Sequence, residues 1–318
     1  MSVRYANKKQ HFVPLSYLRA WCDPACPPGH TPYVWLSDAN GSATRKKAPE
    51  KIFAETDMYT FRMPDGSRDL YAERGLSTVE TRFSLLRKFR LDKRTDLDPE
   101  DWQWLCLFVA LSQVRTKASR DHFAAQLHGL RDRVRQLEEQ VAKDAREGVR
   151  RDHSRTLQME GGSPISSEEV QNMADTVLTT MLLPMAEKTI WPIMLRMSAV
   201  MLCTDDELGF VTTDHPCTWF DPLWYRMPPI YRSVGIANKN IEITMPISPS
   251  QCILFTHEPR KFCYLDVPYE LVEILNNRHC SQAPENIVAR RSEVRDAWFT
   301  LSELPPDAWE NQHRDGQA

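Results

Sequence analysis

The chain has 318 residues, room for one large domain or two small ones. Hydrophobic residues make up 42% and charged residues 26%, an ordinary globular mixture, and 40 Lys+Arg against 43 Asp+Glu give a net charge of −3. That balance excludes a basic surface over the whole chain, and with it the simplest case for nucleic-acid binding. Glycines number only 11, and neither GxGxxG nor GxxxxGK[ST] occurs, so the sequence holds no glycine-rich phosphate cradle.

The first ten residues carry basic side chains but no apolar core of a secretory signal. The longest apolar stretch, 178–203, is interrupted by Pro184, Glu187, Lys188, Pro192 and Arg196, which argues against a membrane span. The expectation is a cytoplasmic protein. Most of the eight cysteines lie in apolar runs and read as small core residues of a reducing compartment. Cys22, Cys26 and His30 form the one metal-like spacing. They lack the fourth ligand of a zinc site, and a proline-rich loop with incidental cysteines is the competing reading.

In chain order, residues 10–21 read as a strand end or turn entering a short helix. Residues 22–32 read as a loop. Tyr33–Leu36 predicts a strand, and Asn40-Gly41 supplies the positive φ values of a hairpin turn. The returning arm runs from Ala43 to Phe61, and Pro64-Asp65-Gly66 marks another turn. Leu76, Val79, Phe83, Leu86 and Phe89 recur at helical spacing and predict an amphipathic helix over 69–90. Asp98-Pro99-Glu100-Asp101 opens a second helix with an N-cap, a proline at the first position and acids in the first turn. If continuous to 147, that helix would span roughly 70 Å. Its distal part carries a heptad stripe of Phe123, Leu127, Leu130, Val134, Leu137 and Val141, the pattern of a projecting arm with a dimerising face. Residues 148–166 read as a linker. Ser166 opens a helix toward Leu183 that packs back on the arm, and Pro184 and Pro192 should kink or divide it. Strands are expected over 208–213, 241–247 and 252–256, helices over 269–277 and near 284–291, and a flexible tail over 305–318. The sum is a single α+β domain over 1–304, a mixed or antiparallel sheet from the N- and C-terminal parts, with a helical-hairpin arm over 116–183.

Several segments, in order, resemble one bacterial family. Residues 10–21 (QHFVPLSYLRAW) are similar to the opening H-[HY]-[VI]-P-x-x-Y-L-x-x-[FW] of the family known as domain of unknown function 4238. Leu76–Glu80 resembles its L-x-x-[IVL]-E helix, and Phe108–Arg115 its F-x-x-x-Q-x-x-R helix. Phe210–Pro216 resembles its F-x-T-S-D-x-P strand end, and Pro246–Pro249 the following P-[IL]-S-P. The chain departs in having Thr213 where serine is usual and in its long charged middle. The resemblance implies a fold neighbourhood and no activity.

The polar members of these segments are His11, Glu80, Gln113, Arg115 and Asp214. A buried arginine can hold a phosphate bidentately, a histidine can act as base, and two carboxylates can hold a divalent cation such as Mg2+. The leading expectation is a phosphodiester hydrolase, a nuclease-like effector acting on nucleic acid. His11, Glu80, Arg115 and Asp214 would be catalytic, Glu80 and Asp214 the metal pair, and Gln113, Thr213 and His215 substrate contacts. Arg115-x6-His122 also resembles the Arg–His pair of HEPN ribonucleases, and His11–Ser16 the opening of HNH nucleases. The competing class is a non-enzymatic interaction or ligand-binding module in which this polar set is structural and the arm mediates dimerisation.

Overall fold

The computed structural model describes residues 9–63, 65–148, 165–223 and 235–300. Residues 149–164 of the expected linker and the tail over 305–318 lie outside the described residues. No helix among the described residues is long and apolar enough to cross a membrane.

The chain opens with β1 (Lys9–His11), the short α1 (Leu15–Leu18) and the expected hairpin of β2 (Val34–Asp38) and β3 (Arg45–Lys47), with Gly41 at φ +78° in its turn. β4 (Ala54–Thr56) pairs antiparallel with β1, and β5 (Phe61–Arg62) with β6 (Arg68–Asp69). α2 (Tyr71–Leu86) then runs into a π-helical turn, Arg87–Leu91. α3 (Pro99–Val114) begins at the expected cap: Asp98 accepts from the Asp101 amide at 2.9 Å and Asp101 accepts from the Asp98 amide at 3.4 Å.

The long helix expected over 99–147 is two helices. The backbone leaves helical geometry at Thr116, whose hydroxyl caps α4 (Lys117–Glu147). α5 (Ser167–Asp175) returns along α4. Arg131 donates to Gln171 at 2.5 Å, and Ser167 donates to Glu138 at 2.7 Å, so residue numbers run in opposite directions. Residues 178–194 wind as alternating π- and α-turns, with α6 (Leu183–Met185) and α7 (Trp191–Met194) each placing a proline where a π-turn ends. The widened turns accommodate residues that have no N–H to donate.

The remaining elements are β7 (Ser198–Cys203), β8 (Thr212–Thr213), β9 (Thr218–Phe220), β10 (Glu242–Ser248), β11 (Gln251–Thr256), β12 (Tyr264–Asp266), α8 (Tyr269–Ser281) and β13 (Asn286–Ala289). The helix expected near 284–291 is therefore a strand: β13 pairs with both β2 and β8, and its Ile287 and Val288 are buried. One sheet has the order β12-β7-β11-β10-β9, mixed only because β12 runs parallel to β7. The other, β3-β2-β13-β8, is antiparallel and joins the two ends of the chain. The fold is α+β.

The core lies around α3, which is apolar on most faces. Phe108 stacks flat on Phe83 with centroids 3.6 Å apart, and Trp102 meets Phe255 of β11. β7 is buried on both sides. Ala199, Met201 and Cys203 join the main core, while Val200 and Leu202 join a second cluster with Val272 and Leu275 of α8.

Candidate functional site

β1 is held between α2 and the end of α3 by its own alternation. Gln10 points inward, buried, and His11 faces the junction with α2. The Gln10 amide makes three bonds. Its oxygen accepts from the Tyr59 amide at 2.6 Å, and its nitrogen donates to Glu73 at 2.7 Å and Thr60 at 3.0 Å. This clamp fixes Tyr59, which the sequence reading places only in a strand. The Tyr59 hydroxyl donates to the Arg115 carbonyl at 3.1 Å.

Arg115 ends α3, with only 3% of its side chain exposed. Its Nη2 forms an ion pair with Glu80 Oε1 of α2 at 2.8 Å and donates to the His11 carbonyl at 2.8 Å, and its guanidinium lies 5.5 Å from the centroid of the Tyr59 ring. Burial works against its charge, but Tyr59 and Glu80 outweigh that and hold its pKa above the ordinary range. Among the described residues, Nη1 of Arg115 and Oε2 of Glu80 make no hydrogen bond.

His11, Glu80 and Arg115 line one cleft of about 220 Å3, with Lys9 at its edge and Tyr59 and Glu73 in its wall. His11 lines this cleft, and its Nε2 is buried from solvent with no hydrogen-bond partner among the described residues. Burial, then the Lys9 charge, lowers the imidazole pKa against the opposing pulls of Glu80 and of a hydrogen bond with the Pro49 backbone. The walls of the cleft thus hold a histidine that burial keeps neutral, its Nε2 sealed from solvent, a carboxylate paired through one oxygen and an almost fully buried guanidinium.

Asp214 is not among the residues of this cleft. Its carboxylate turns to the start of β13, accepting from the Glu285 amide at 3.4 Å and from Asn286 Nδ2 at 3.5 Å. Burial raises its pKa against those bonds. Of the expected metal pair, Glu80 lines this cleft and Asp214 does not, and each carboxylate faces partners of its own. No group of three His, Cys, Asp or Glu side chains suited to a metal occurs among the described residues. That applies equally to Cys22, Cys26 and His30, where the Cys26 thiol instead donates to the Thr31 carbonyl at 3.5 Å. Thr213 exchanges bonds with the His215 backbone in a local turn, and His215 Nδ1 meets Thr116 Oγ1 at 2.9 Å. Gln113 does not line the cleft, and its buried Oε1 has no partner among the described residues. His122 is exposed on α4 and bonds Gln126 at 2.9 Å, away from Arg115's partners.

The same segments are tied together at a second point. Tyr17 OH bonds Thr212 Oγ1 and the Pro246 carbonyl, each at 2.7 Å, and Trp21 Nε1 donates to the Phe210 carbonyl at 2.9 Å. The sequence segments singled out by resemblance are thus in mutual contact in two clusters, one lining the cleft and one sealed in the core.

An α+β chain whose short N-terminal strand, second helix and third helix converge on one buried arginine defines the class by architecture. The chain belongs to the family described as a protein of unknown function, DUF4238, whose profile matches residues 9–293. No curated protein and no solved structure matches it.

Proposed function

We propose that this chain is a phosphodiester hydrolase of the nuclease type, working through the cleft of His11, Glu80 and Arg115. The observation that carries the reading is the unpartnered Nε2 of His11 beside an arginine bound to a single carboxylate. A neutral imidazole nitrogen with its lone pair unused is a general base in waiting, able to take the proton of an attacking hydroxyl. The free edge of Arg115, with Lys9 at the rim, offsets the charge that grows on phosphorus-bound oxygens. Glu80 keeps the guanidinium aligned, and Tyr59 fixes it from behind. Asp214 has no part in this arrangement, so the reading does not depend on a cation held between Glu80 and Asp214.

The test is cleavage of labelled single-stranded RNA, single-stranded DNA and bis(p-nitrophenyl) phosphate, each with EDTA and with added Mg2+. The expected result is turnover that persists in EDTA, falls at least 100-fold in His11→Gln and falls in Glu80→Gln. No turnover of any substrate, or unchanged turnover in both variants, overturns the reading.

A second reading is favoured by the near-complete burial of Arg115. Here the guanidinium is a three-way brace between β1, α2 and α3, and the chain is a ligand-binding or interaction module. The heptad stripe expected to dimerise is partly used within the chain. Phe123 and Leu127 pack on the core and Val134 is buried on the arm, while Leu137 and Val141 remain 44% and 38% exposed.

A further inference from the structure

The helix that carries Glu80 also carries an aromatic side chain turned out of the core. Helical spacing from Phe83 and Leu86 would bring Phe89 or Arg90 inward next. The π-helical turn Arg87–Leu91 inserts an extra residue, so Leu91 takes the core position at 0% exposure and Phe89 stands 49% exposed. Leu85, 46% exposed, adjoins it along a groove of about 200 Å3 between α2 and α3, whose other wall includes Trp104.

The surroundings of Phe89 are cationic. Residues 82–94 hold six basic side chains against one acid, Asp92, in a chain of net charge −3. Arg82, Arg90 and Arg94 are paired with Glu100, Asp101 and Asp266 respectively. Lys88 and Lys93 have no ion pair among the described residues, and their ammonium groups lie 5.3 and 5.5 Å from the centroid of the Phe89 ring. An exposed ring flanked by two unpaired ammonium groups matches the chemistry of a stacked base with its neighbouring phosphates. The carboxylates of Asp98 and Glu100 on the groove wall are themselves engaged by Arg90 and Arg82.

We infer that Phe89, Lys88 and Lys93 form a docking point for single-stranded nucleic acid, in which a base stacks on the Phe89 ring and the lysines hold adjacent phosphates. Nine residues separate Glu80 from Phe89, about 13 Å along the helix axis at 1.5 Å per residue. At about 100° per residue those nine positions also turn Phe89 to the side of α2 opposite Glu80, so a strand docked there passes around the helix before it meets the cleft. The choice of substrate polymer rests on the phosphodiester reading above, but binding at Phe89 is measurable without turnover.

The experiment is fluorescence anisotropy of the full chain with a 5′-fluorescein 12-mer oligouridylate in EDTA, over a salt series. Phe89→Ala should weaken binding roughly 5- to 100-fold, the share of one stacked base, and Phe89→Tyr should restore it. Lys88→Ala with Lys93→Ala should make the slope of log affinity against log salt shallower by about 1.4. Equal affinity of the wild type and Phe89→Ala overturns the inference. So does competition by poly-glutamate as strong as that by unlabelled oligouridylate, which would assign the ridge to acidic protein segments. Binding with these dependences but without cleavage would keep the docking point and remove the hydrolase. Cleavage with Phe89-independent binding would do the reverse.

Discussion

One nitrogen of Arg115, Nη2, pairs with Glu80 Oε1 and donates to the carbonyl oxygen of His11, each at 2.8 Å. A helix end, a neighbouring helix and a strand therefore meet at one guanidinium. Removing it leaves the His11 carbonyl with only the long 3.5 Å bond from the Tyr59 hydroxyl and Glu80 without its counter-charge. Arg115→Ala should lower unfolding free energy by about 3–5 kcal/mol, and Arg115→Lys should recover only part, because an ammonium cannot reproduce the planar fork. Glu80→Gln keeps an acceptor for Nη2 and should cost about half as much or less. Urea denaturation of the three variants checks the order, and an Arg115→Ala protein as stable as wild type would contradict it.

The acid limb of any hydrolysis should follow His11. Its pKa lies below 6.5 because burial and Lys9 disfavour the imidazolium. A base is active above its pKa, so activity should persist at pH values below 6.5 and fall only as His11 gains its proton. The pH profile of bis(p-nitrophenyl) phosphate hydrolysis reads this directly. Lys9→Ala removes a charge that opposes protonation, so the acid limb should move to higher pH. A limb that stays in place, or moves the other way, would remove His11 from the base role.

The sequence makes His11, Glu80 and Arg115 legible because each is a polar residue set in an otherwise apolar segment. Capping chemistry likewise announces α3 at Asp98, and Asn40-Gly41 announces the β2–β3 hairpin. Other features are hidden for physical reasons. β7 has no polar face, since alternate residues enter two different cores, so its apolar run carries no period of two. Phe89 keeps perfect helical spacing in the sequence, and only the π-turn moves it outside. Tyr59 enters the cleft through Gln10, a contact across 49 residues that no local pattern encodes. Asp214 sits at a strand end, where functional carboxylates are often found, but the Glu285 amide and the Asn286 side chain claim it first.

Stability should fall in mild acid through His279. The ring is 1% exposed, with Nδ1 2.8 Å from Thr218 Oγ1 and Nε2 3.3 Å from Thr244 Oγ1. Burial, with the Arg278 charge and His215 nearby, lowers its pKa from 6.5 to about 3. The unfolded chain therefore takes up a proton near pH 6.5 that the folded chain refuses. The stabilisation is complete above pH 6.5 and declines as pH falls toward the folded value, by up to about 1.4 kcal/mol per pH unit. His215, lowered by burial to about 4, acts in the same direction. Between pH 6 and 4, His279→Gln should show a shallower loss of stability than wild type in denaturant titrations. Parallel slopes would place the acid sensitivity elsewhere.

Gly209 lies between Leu208 and Phe210, which belong to two different apolar clusters. It adopts φ +66°, and a Cβ at this position would lie 2.0 Å from the Pro249 carbonyl oxygen, the same atom that accepts the Phe210 amide at 2.7 Å. Asn276, fully buried in α8, seals the turn from the other side, donating to the Gly209 carbonyl at 2.9 Å and accepting from the Val211 amide at 3.0 Å. The Phe210 carbonyl in turn receives Trp21 Nε1. Because the obstructing atom belongs to backbone, neither partner can swing aside as a side chain would. Gly209→Ala should therefore destabilise the fold by about 2–4 kcal/mol, through both the left-handed backbone and the clash. Gly66 has φ +79° with open space around its Cβ position, so Gly66→Ala carries the conformational penalty alone and should cost about 1 kcal/mol. Thermal unfolding of both variants separates the two contributions, and equal losses at the two positions would show that the contact with Pro249 relaxes freely.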